Sequence, residues 1–248
     1  MLTIILALTA AIFTWFAVFY GIEGRHWGWA SSAAIAALLV VAAPIIYIVR
    51  KKMEVIITAV QGQIVAGQEK LRRKIMAMQN RMQGGGKLQA QIEKEQADDI
   101  REAVKYLDLL KPLQKWNPLT KVQYNTFKGQ LLFQIKDFEE AEPLLEKALV
   151  LEPITLAMQM VTVYKRGDFK KLEKMFWKGT GRFKDEQGTL IYALYSWILV
   201  KENRISDAVS ILDEGKKKCE SDVLKQNWEH LVNNRVRRFS NAGLGEQW

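Results

Sequence analysis

Apolar residues along this chain of 248 residues form two long runs near its start, followed by short, regularly spaced positions. The first run covers residues 2–20, with threonine as its only polar residue type, and the second covers residues 29–49. A helix of about 19 residues is roughly 28 Å long, close to the ~30 Å hydrocarbon core of a bilayer. Ala7 and Ala11 are small and four residues apart, which favours close helix packing. The pattern predicts a transmembrane helical hairpin over residues 1–50.

Basic residues at the end of the second run predict the orientation of this hairpin. Arg50, Lys51 and Lys52 follow the run directly, whereas Arg25 is the only Lys or Arg between the two runs. The positive-inside rule therefore places the Arg50 end in the cytoplasm. The first run lacks a preceding basic segment and a small-residue cleavage site, so we expect it to stay as an anchor. The predicted location is the inner or plasma membrane, multi-pass, with the C-terminal domain cytoplasmic.

A long basic helix is predicted next, over residues 51–83. Apolar or small residues recur there at alternating steps of three and four, as on one face of a helix. Three alternatives remain open: the helix lies on the anionic inner leaflet, self-associates into a homo-oligomer, or packs on the following helix of its own chain. For the first, the predicted membrane-surface residues are Arg50, Lys51, Lys52, Lys70, Arg72, Arg73, Lys74 and Arg81.

A glycine hinge and a linker helix are predicted over residues 84–118. Three consecutive glycines, Gly84 to Gly86 in order, are costly to hold in a helix, so we expect a flexible break there. A helix over residues 88–110 follows, and Pro112 and Pro118 mark its end.

The charge distribution and the rare residue types argue against several function classes. The net charge is +9, and residues 50–87 hold nine basic against two acidic side chains, so the basic character lies next to the predicted membrane. This segment lacks interleaved aromatic residues, so no nucleic-acid partner is expected. The only histidines, His26 and His230, lie in opposite blocks of the chain, and Cys219 is a single cysteine. We predict no catalytic residues, no metal, no cofactor and no enzymatic activity.

Residues 122–155 carry the most specific local pattern of the chain. Small, aromatic and proline residues are spaced as in two antiparallel helices of one repeat: Tyr124, Gly129, Phe138, Ala141, Leu145, Ala148 and Pro153. This spacing resembles the 34-residue tetratricopeptide repeat. Two further, weaker units follow. The second has a predicted inter-helix turn at Gly167 and Asp168, directly before Phe169, and then Leu172, Phe176 and Gly179; the third has Tyr192, Ala208, Leu212 and Gly215.

The resemblance implies an α-solenoid whose first helices line a concave surface that binds a peptide or a partner helix. Carrying the repeat positions over gives these predicted groove residues: Gln130, Phe133, Gln134, Tyr164, Lys165, Trp197 and Lys201. Some members of the family clamp a C-terminal carboxylate with Lys and Asn in a first helix. Thr126 and Gln130 occupy those places here, so that class of ligand is not expected.

The predicted fold is all-α: a transmembrane hairpin (1–50), a juxtamembrane helix (51–83), a hinge and linker helix (84–118), about three tetratricopeptide-like helix pairs (119–222), and a capping helix with an irregular tail (223–248). The implied function is a membrane-anchored adaptor or scaffold that binds partner proteins on the cytoplasmic side. The alternative is a membrane-surface organising protein that acts through the basic helix and self-association.

Overall fold

The computed structural model describes residues 1–21, 27–79 and 85–247 of the chain. These residues are helical or in turns and contain no β-strand, which confirms the all-α class. They divide into two compact units, Met1–Asp137 and Phe138–Trp248. The division falls at the turn inside the first predicted repeat. Arg25, Arg81 and Gly84 lie outside the described residues.

The first unit contains four α-helices and a 3₁₀ helix. Their bounds are α1, Leu2–Gly21; α2, Trp27–Gln79; α3, Gly85–Leu107; the 3₁₀ helix, Asp108–Lys115; and α4, Pro118–Gln134. The predicted second span and the predicted juxtamembrane helix are one continuous helix, α2. No glycine or proline lies between Pro44 and Gly62, so nothing in the backbone interrupts the helix where the chain changes from apolar to charged.

Helix α1 packs along the first part of α2. Thr3, Ala7 and Ala11 are buried on α1, and Ala30 and Val49 are buried on α2. The small side chains predicted to allow close packing therefore lie in this contact. Most of the remaining apolar surface is exposed, because only 17 % of the apolar window of α1 and 6 % of that of α2 are buried. Both helices are long and apolar enough to cross a membrane, and neither apolar window is buried as a core helix would be.

The second part of α2 packs against α3, which is the third of the alternatives left open above. Val60 on α2 forms one apolar cluster with Ile100, Ala103 and Leu107 on α3. A side chain at Gly67 would lie 2.8 Å from Asp99 Oδ2, so this glycine permits a close approach of the two helices.

The linker differs from its prediction at both ends. Gly85 and Gly86, expected in a flexible hinge, are the first residues of α3. They lie in its first turn, where the backbone N–H groups of any helix have no partner within the helix. The α-helix ends at Leu107 rather than at residue 110, and the chain continues as the 3₁₀ helix through Pro112. A proline has no N–H to donate, which disfavours continuation of the α-helical ladder.

The second unit is a stack of six α-helices with short connections. Their bounds are α5, Phe138–Glu146; α6, Pro153–Lys165; α7, Phe169–Arg182; α8, Thr189–Lys201; α9, Ile205–Lys218; and α10, Asp222–Val232. Helix α8 is central, with nine of its 13 residues buried, and it contacts α6, α7, α9 and α10. A helix that is apolar on all sides requires such a position.

One turn geometry recurs along the chain. Gly167, Asn203 and Asn234 follow α6, α8 and α10, and each has a positive φ. After each of them the next N–H bonds back to a carbonyl five residues earlier, at 3.3, 2.8 and 2.7 Å. This is the Schellman motif, which favours Gly or Asn. Lys136 in the first unit ends α4 in the same way, and the four positions are 31, 36 and 31 residues apart.

The pairs α6–α7 and α8–α9 repeat each other in packing as well. A side chain at Gly179 would overlap Leu156 Cδ2, and one at Gly215 would lie 2.9 Å from the Tyr192 ring. In both pairs the glycine follows its contact by 23 positions, and the two pairs are offset by 36 positions. The absence of a Cβ lets the second helix of each pair lie close to the first.

The C-terminal region differs from its prediction in two ways: the capping helix is shorter, and the tail is held in place. The capping helix α10 ends at Val232, because Asn234 turns the chain, and only a 3₁₀ turn covers Val236–Arg238. The tail predicted to be irregular is held by a buried amide pair. Asn227 Nδ2 donates to Asn241 Oδ1 at 2.7 Å, and Asn241 Nδ2 donates to the carbonyl of Ala193 in α8 at 3.0 Å.

Candidate functional site

Aromatic side chains cluster where α6 and α8 end. The rings of Tyr164 and Trp197 lie 6.5 Å apart in an edge-to-face arrangement, and the Phe169 ring lies 6.0 Å from that of Tyr164. Tyr164 Oη donates a hydrogen bond of 2.8 Å to Glu202 Oε1. This hydrogen bond is the main reason why the pKa of Tyr164 is raised. The hydroxyl therefore stays protonated and orients the ring.

Two exposed lysines at the ends of α6 and α8 lie near aromatic rings of the second unit. Lys201 Nζ lies 5.3 Å from the centroid of the Trp197 ring, and Lys165 Nζ lies 3.6 Å from the centroid of the Phe138 ring. Both distances are within cation–π range. The set is called the aromatic–lysine surface below and comprises Tyr164, Lys165, Phe169, Trp197, Lys201 and Glu202.

The repeat explains why the two lysines take equivalent positions. Lys165 is the last residue of α6, and Lys201 is the last residue of α8. They are 36 residues apart, the same offset that relates Gly167 to Asn203 in the turns that follow. A cation at this end of a helix also complements the helix dipole. The repeated turn thus presents one exposed cation per helix pair on the same side of the unit.

The predicted groove residues fall into two groups. Tyr164, Lys165, Trp197 and Lys201 belong to the second unit, and the structure brings Tyr164 and Trp197 into contact. Gln130, Phe133 and Gln134 belong to α4 in the first unit, where Gln134 is exposed and the other two are half-buried.

Two members of the aromatic–lysine surface were absent from the predicted groove, Phe169 and Glu202. Phe169 is about 40 % exposed and contacts Tyr164 from the start of the next helix. Its place directly after the Gly167–Asp168 turn was visible in the sequence, but it suggested a turn rather than a surface. Glu202 gave no signal, because its bond to Tyr164 joins residues 38 positions apart.

One concavity in the second unit is smaller than a typical small-molecule site. A cavity of about 210 Å³ lies between α5, α6 and α7, below the ~300 Å³ at which ligand pockets begin. Its charged rim is paired, because Lys171 Nζ bonds Glu146 Oε1 at 2.7 Å and Arg166 pairs with Glu142. The hydrogen bond from Lys171 lowers the pKa of Glu146. The exposed aromatic–lysine surface is the stronger candidate for binding.

Apart from Arg81, which lies outside the described residues, the predicted membrane-surface residues are distributed along α2. Arg50, Lys51 and Lys52 are exposed directly after the apolar part of the helix. Lys70, Arg72 and Arg73 are exposed too, but Lys70 lies about 30 Å further along the helix axis at 1.5 Å per residue. Lys74 is half-buried and pairs with Glu95 of α3. The length of α2 therefore keeps the basic group around Lys70 far from the group that begins at Arg50.

Comparisons with known proteins give no family for this chain: no protein-family model, no curated protein and no solved structure matches it. Within the described ranges, no group of three or more His, Cys, Asp or Glu side chains is placed to hold a metal ion.

Proposed function

We propose that this protein is a membrane-anchored adaptor of the tetratricopeptide-like class, which binds a partner protein on the cytoplasmic side through its second unit. The observation that carries the proposal is the combination of two exposed apolar helices, α1 and the first part of α2, with the aromatic–lysine surface. The helices would hold the chain in a bilayer, and the surface offers the exposed aromatic and cationic side chains that protein interfaces favour.

The internal repeat supports a helical-repeat scaffold. The pairs α6–α7 and α8–α9 share their turn, their close glycine contact and an offset of 36 residues. Stacked helix pairs of this length are the building unit of α-solenoids, which bind partners along their extended surfaces. The resemblance to the tetratricopeptide pattern points in the same direction, because the glycines at its small-residue positions are those that permit close packing.

The chemistry of the surface indicates the kind of partner. Lys165 and Lys201 are exposed cations beside aromatic rings, and the only carboxylate of the set, Glu202, accepts a hydrogen bond from Tyr164. An acidic peptide segment with apolar or aromatic side chains would complement this arrangement.

The cytoplasmic orientation follows from charge. Arg50, Lys51 and Lys52 come directly after the apolar part of α2, and this concentration of cations favours the cytoplasmic side. The lipid-surface alternative receives less support. A helix that leaves the bilayer as a continuation of its own span carries Lys70 and its basic neighbours about 30 Å from the surface, and the Debye length there is only about 8 Å.

The test is an affinity purification of the full-length chain from detergent-solubilised membranes, with the bound proteins identified by mass spectrometry. The test variant carries Lys165→Glu and Lys201→Glu. The matched control carries Lys178→Glu and Lys225→Glu, an equal charge change at exposed positions outside the surface.

The proposal expects a set of proteins that the wild type and the control retain and the test variant loses. If the test variant and the control retain the same proteins as the wild type, the aromatic–lysine surface is not the binding site.

A further inference from the structure

The 3₁₀ helix of the first unit, Asp108–Lys115, has one buried row and one exposed row of side chains. Leu107 and Leu110 are buried in the cluster shared with α2 and α3. Side chains three residues apart are aligned in a 3₁₀ helix. The exposed row accordingly runs through Leu109, Pro112 and Lys115, and Tyr106 at the end of α3 is exposed just before it. Apolar side chains therefore face outward here, although the buried row already packs this helix against the rest of the unit.

Further exposed apolar side chains follow directly after this helix. Trp116 is partly exposed, and Leu109 and Leu119 are each 58 % exposed. Lys115 and Lys121 are exposed beside them. The set is called the interfacial segment below and comprises Tyr106, Leu109, Lys115, Trp116, Leu119 and Lys121.

Hydrogen bonds attach the interfacial segment to the first turn of α1. The amino group of Met1 donates to the carbonyls of Lys115 and Trp116, at 3.0 and 3.2 Å. The hydroxyl of Thr3 donates to the same Trp116 carbonyl at 2.8 Å. The segment therefore lies beside the end of an apolar helix that is long enough to cross a bilayer.

The contacts with α2 place the interfacial segment at the same depth relative to the predicted membrane. Met53, Ile56 and Ile57 pack against the cluster that contains Leu107 and Leu110. They follow the Arg50 to Lys52 cations within a few residues. The end of α1 and the end of the apolar part of α2 thus both place the interfacial segment next to the predicted cytoplasmic face of the membrane.

We infer that the interfacial segment is a third membrane contact, in which Leu109, Trp116 and Leu119 lie in the headgroup region of the inner leaflet. Trp and Tyr are enriched at that depth, and Lys115 and Lys121 match anionic headgroups. Burial in lipid also removes large exposed apolar side chains from water. The inference rests on the proposed membrane anchoring. It adds that the chain leaves the bilayer along α2, returns to it after α3 and is held there.

The test uses spin labels on the full-length chain in nanodiscs of phosphatidylcholine and phosphatidylglycerol. Cys219→Ala removes the single native cysteine, and Leu109→Cys or Leu119→Cys then introduces the label. Phe13→Cys, 77 % exposed on α1, reports on the span. Val65→Cys, 57 % exposed on α2, matches Leu109 in exposure but lies about 22 Å beyond Arg50 at 1.5 Å per residue.

Collisions with oxygen, which concentrates in lipid, are compared with collisions with a water-soluble nickel complex. We expect the label at 13 to collide mainly with oxygen and the label at 65 mainly with nickel. The labels at 109 and 119 should have a ratio of oxygen to nickel collisions between these two and clearly above that at 65. Variants are compared only when their helical circular dichroism equals that of the wild type.

The other outcomes separate the two claims. If the label at 13 is lipid-exposed but those at 109 and 119 behave like the label at 65, the third membrane contact is refuted and the anchoring stands. If the label at 13 is itself exposed to nickel, the anchoring fails and the third contact fails with it.

Discussion

The close approach of α8 and α9 at Gly215 gives a sharp test of the repeat packing. In Gly215→Ala, the added Cβ would lie 2.9 Å from Cγ and Cδ1 of Tyr192 and 3.1 Å from its Cβ. Tyr192 is 1 % exposed, and its ring contacts Phe176 with a centroid distance of 5.4 Å. Its hydroxyl also donates to Glu214 at 3.0 Å. The ring therefore has no space into which it can move.

The expected cost is a balance of two effects. Adding a methyl group to a well-packed core costs about 1–3 kcal/mol, and the upper end applies because the neighbour is a rigid ring and its Cβ. Replacing Gly by Ala inside a helix gains about 1 kcal/mol. Gly215→Ala should therefore lower the free energy of unfolding by about 2 kcal/mol. For a chain of this size this corresponds to a Tm about 4–8 °C lower.

Gly181→Ala in α7 is the matched control. It is exposed, and an added Cβ there meets no atom within 4 Å. Only the gain in helix propensity remains, about 0.5 kcal/mol near a helix end. Thermal unfolding of both full-length variants in the same detergent, followed by circular dichroism, should move Tm down for Gly215→Ala and slightly up for Gly181→Ala. A Tm of Gly215→Ala at or above that of the wild type would refute the packing argument.

Three further predictions concern other parts of the two units. Gly179→Ala should destabilise by less than Gly215→Ala, about 1 kcal/mol in thermal unfolding, because its neighbour is the end of a leucine side chain. Asn241→Ala leaves the buried Asn227 amide without its partner, so it should cost about 1–3 kcal/mol and increase hydrogen exchange in the tail. Burial raises the pKa of Asp108, but hydrogen bonds from Lys111 and Tyr124 outweigh it and leave that pKa below its ordinary value. This stabilisation is full above the ordinary pKa and is lost as the pH falls through the lowered one, so Tyr124→Phe should reduce the fall in Tm in acid.

The sequence predicts those features that depend on local patterns. The two apolar runs gave α1 and the first part of α2, because length and composition alone decide whether a helix can cross a bilayer. Gly179 and Gly215 occupy small-residue positions of the repeat-like units, and the structure places each of them closest to the first helix of its own pair. Gly167 before Asp168 likewise predicted a turn that has a positive φ.

Features that depend on contacts between distant residues were not predictable in this way. Asn241 anchors the tail by bonding the Ala193 carbonyl, 48 positions away, and an isolated asparagine in a glycine-containing tail resembles any loop residue. The helical state of Gly85 and Gly86 also contradicts their intrinsic preference.

The candidate site also combines features that a local pattern predicts with features that depend on distant contacts. Lys165 and Lys201 were chosen as repeat-equivalent positions, and both lie over aromatic rings at helix ends. Glu202 was missed, because only the arrangement of α6 beside α8 brings it to Tyr164. The attachment of Trp116 to the first turn of α1 joins residues more than a hundred positions apart, and no sequence pattern indicates it.

Extraction of membranes with alkaline carbonate tests the central claim most directly, because this treatment releases proteins bound only to the surface. The full-length chain, expressed in cells and detected by a C-terminal tag, should stay in the membrane pellet and be released only by detergent. Recovery of the chain in the carbonate supernatant would contradict the account, because α1 and the first part of α2 could then not be membrane spans.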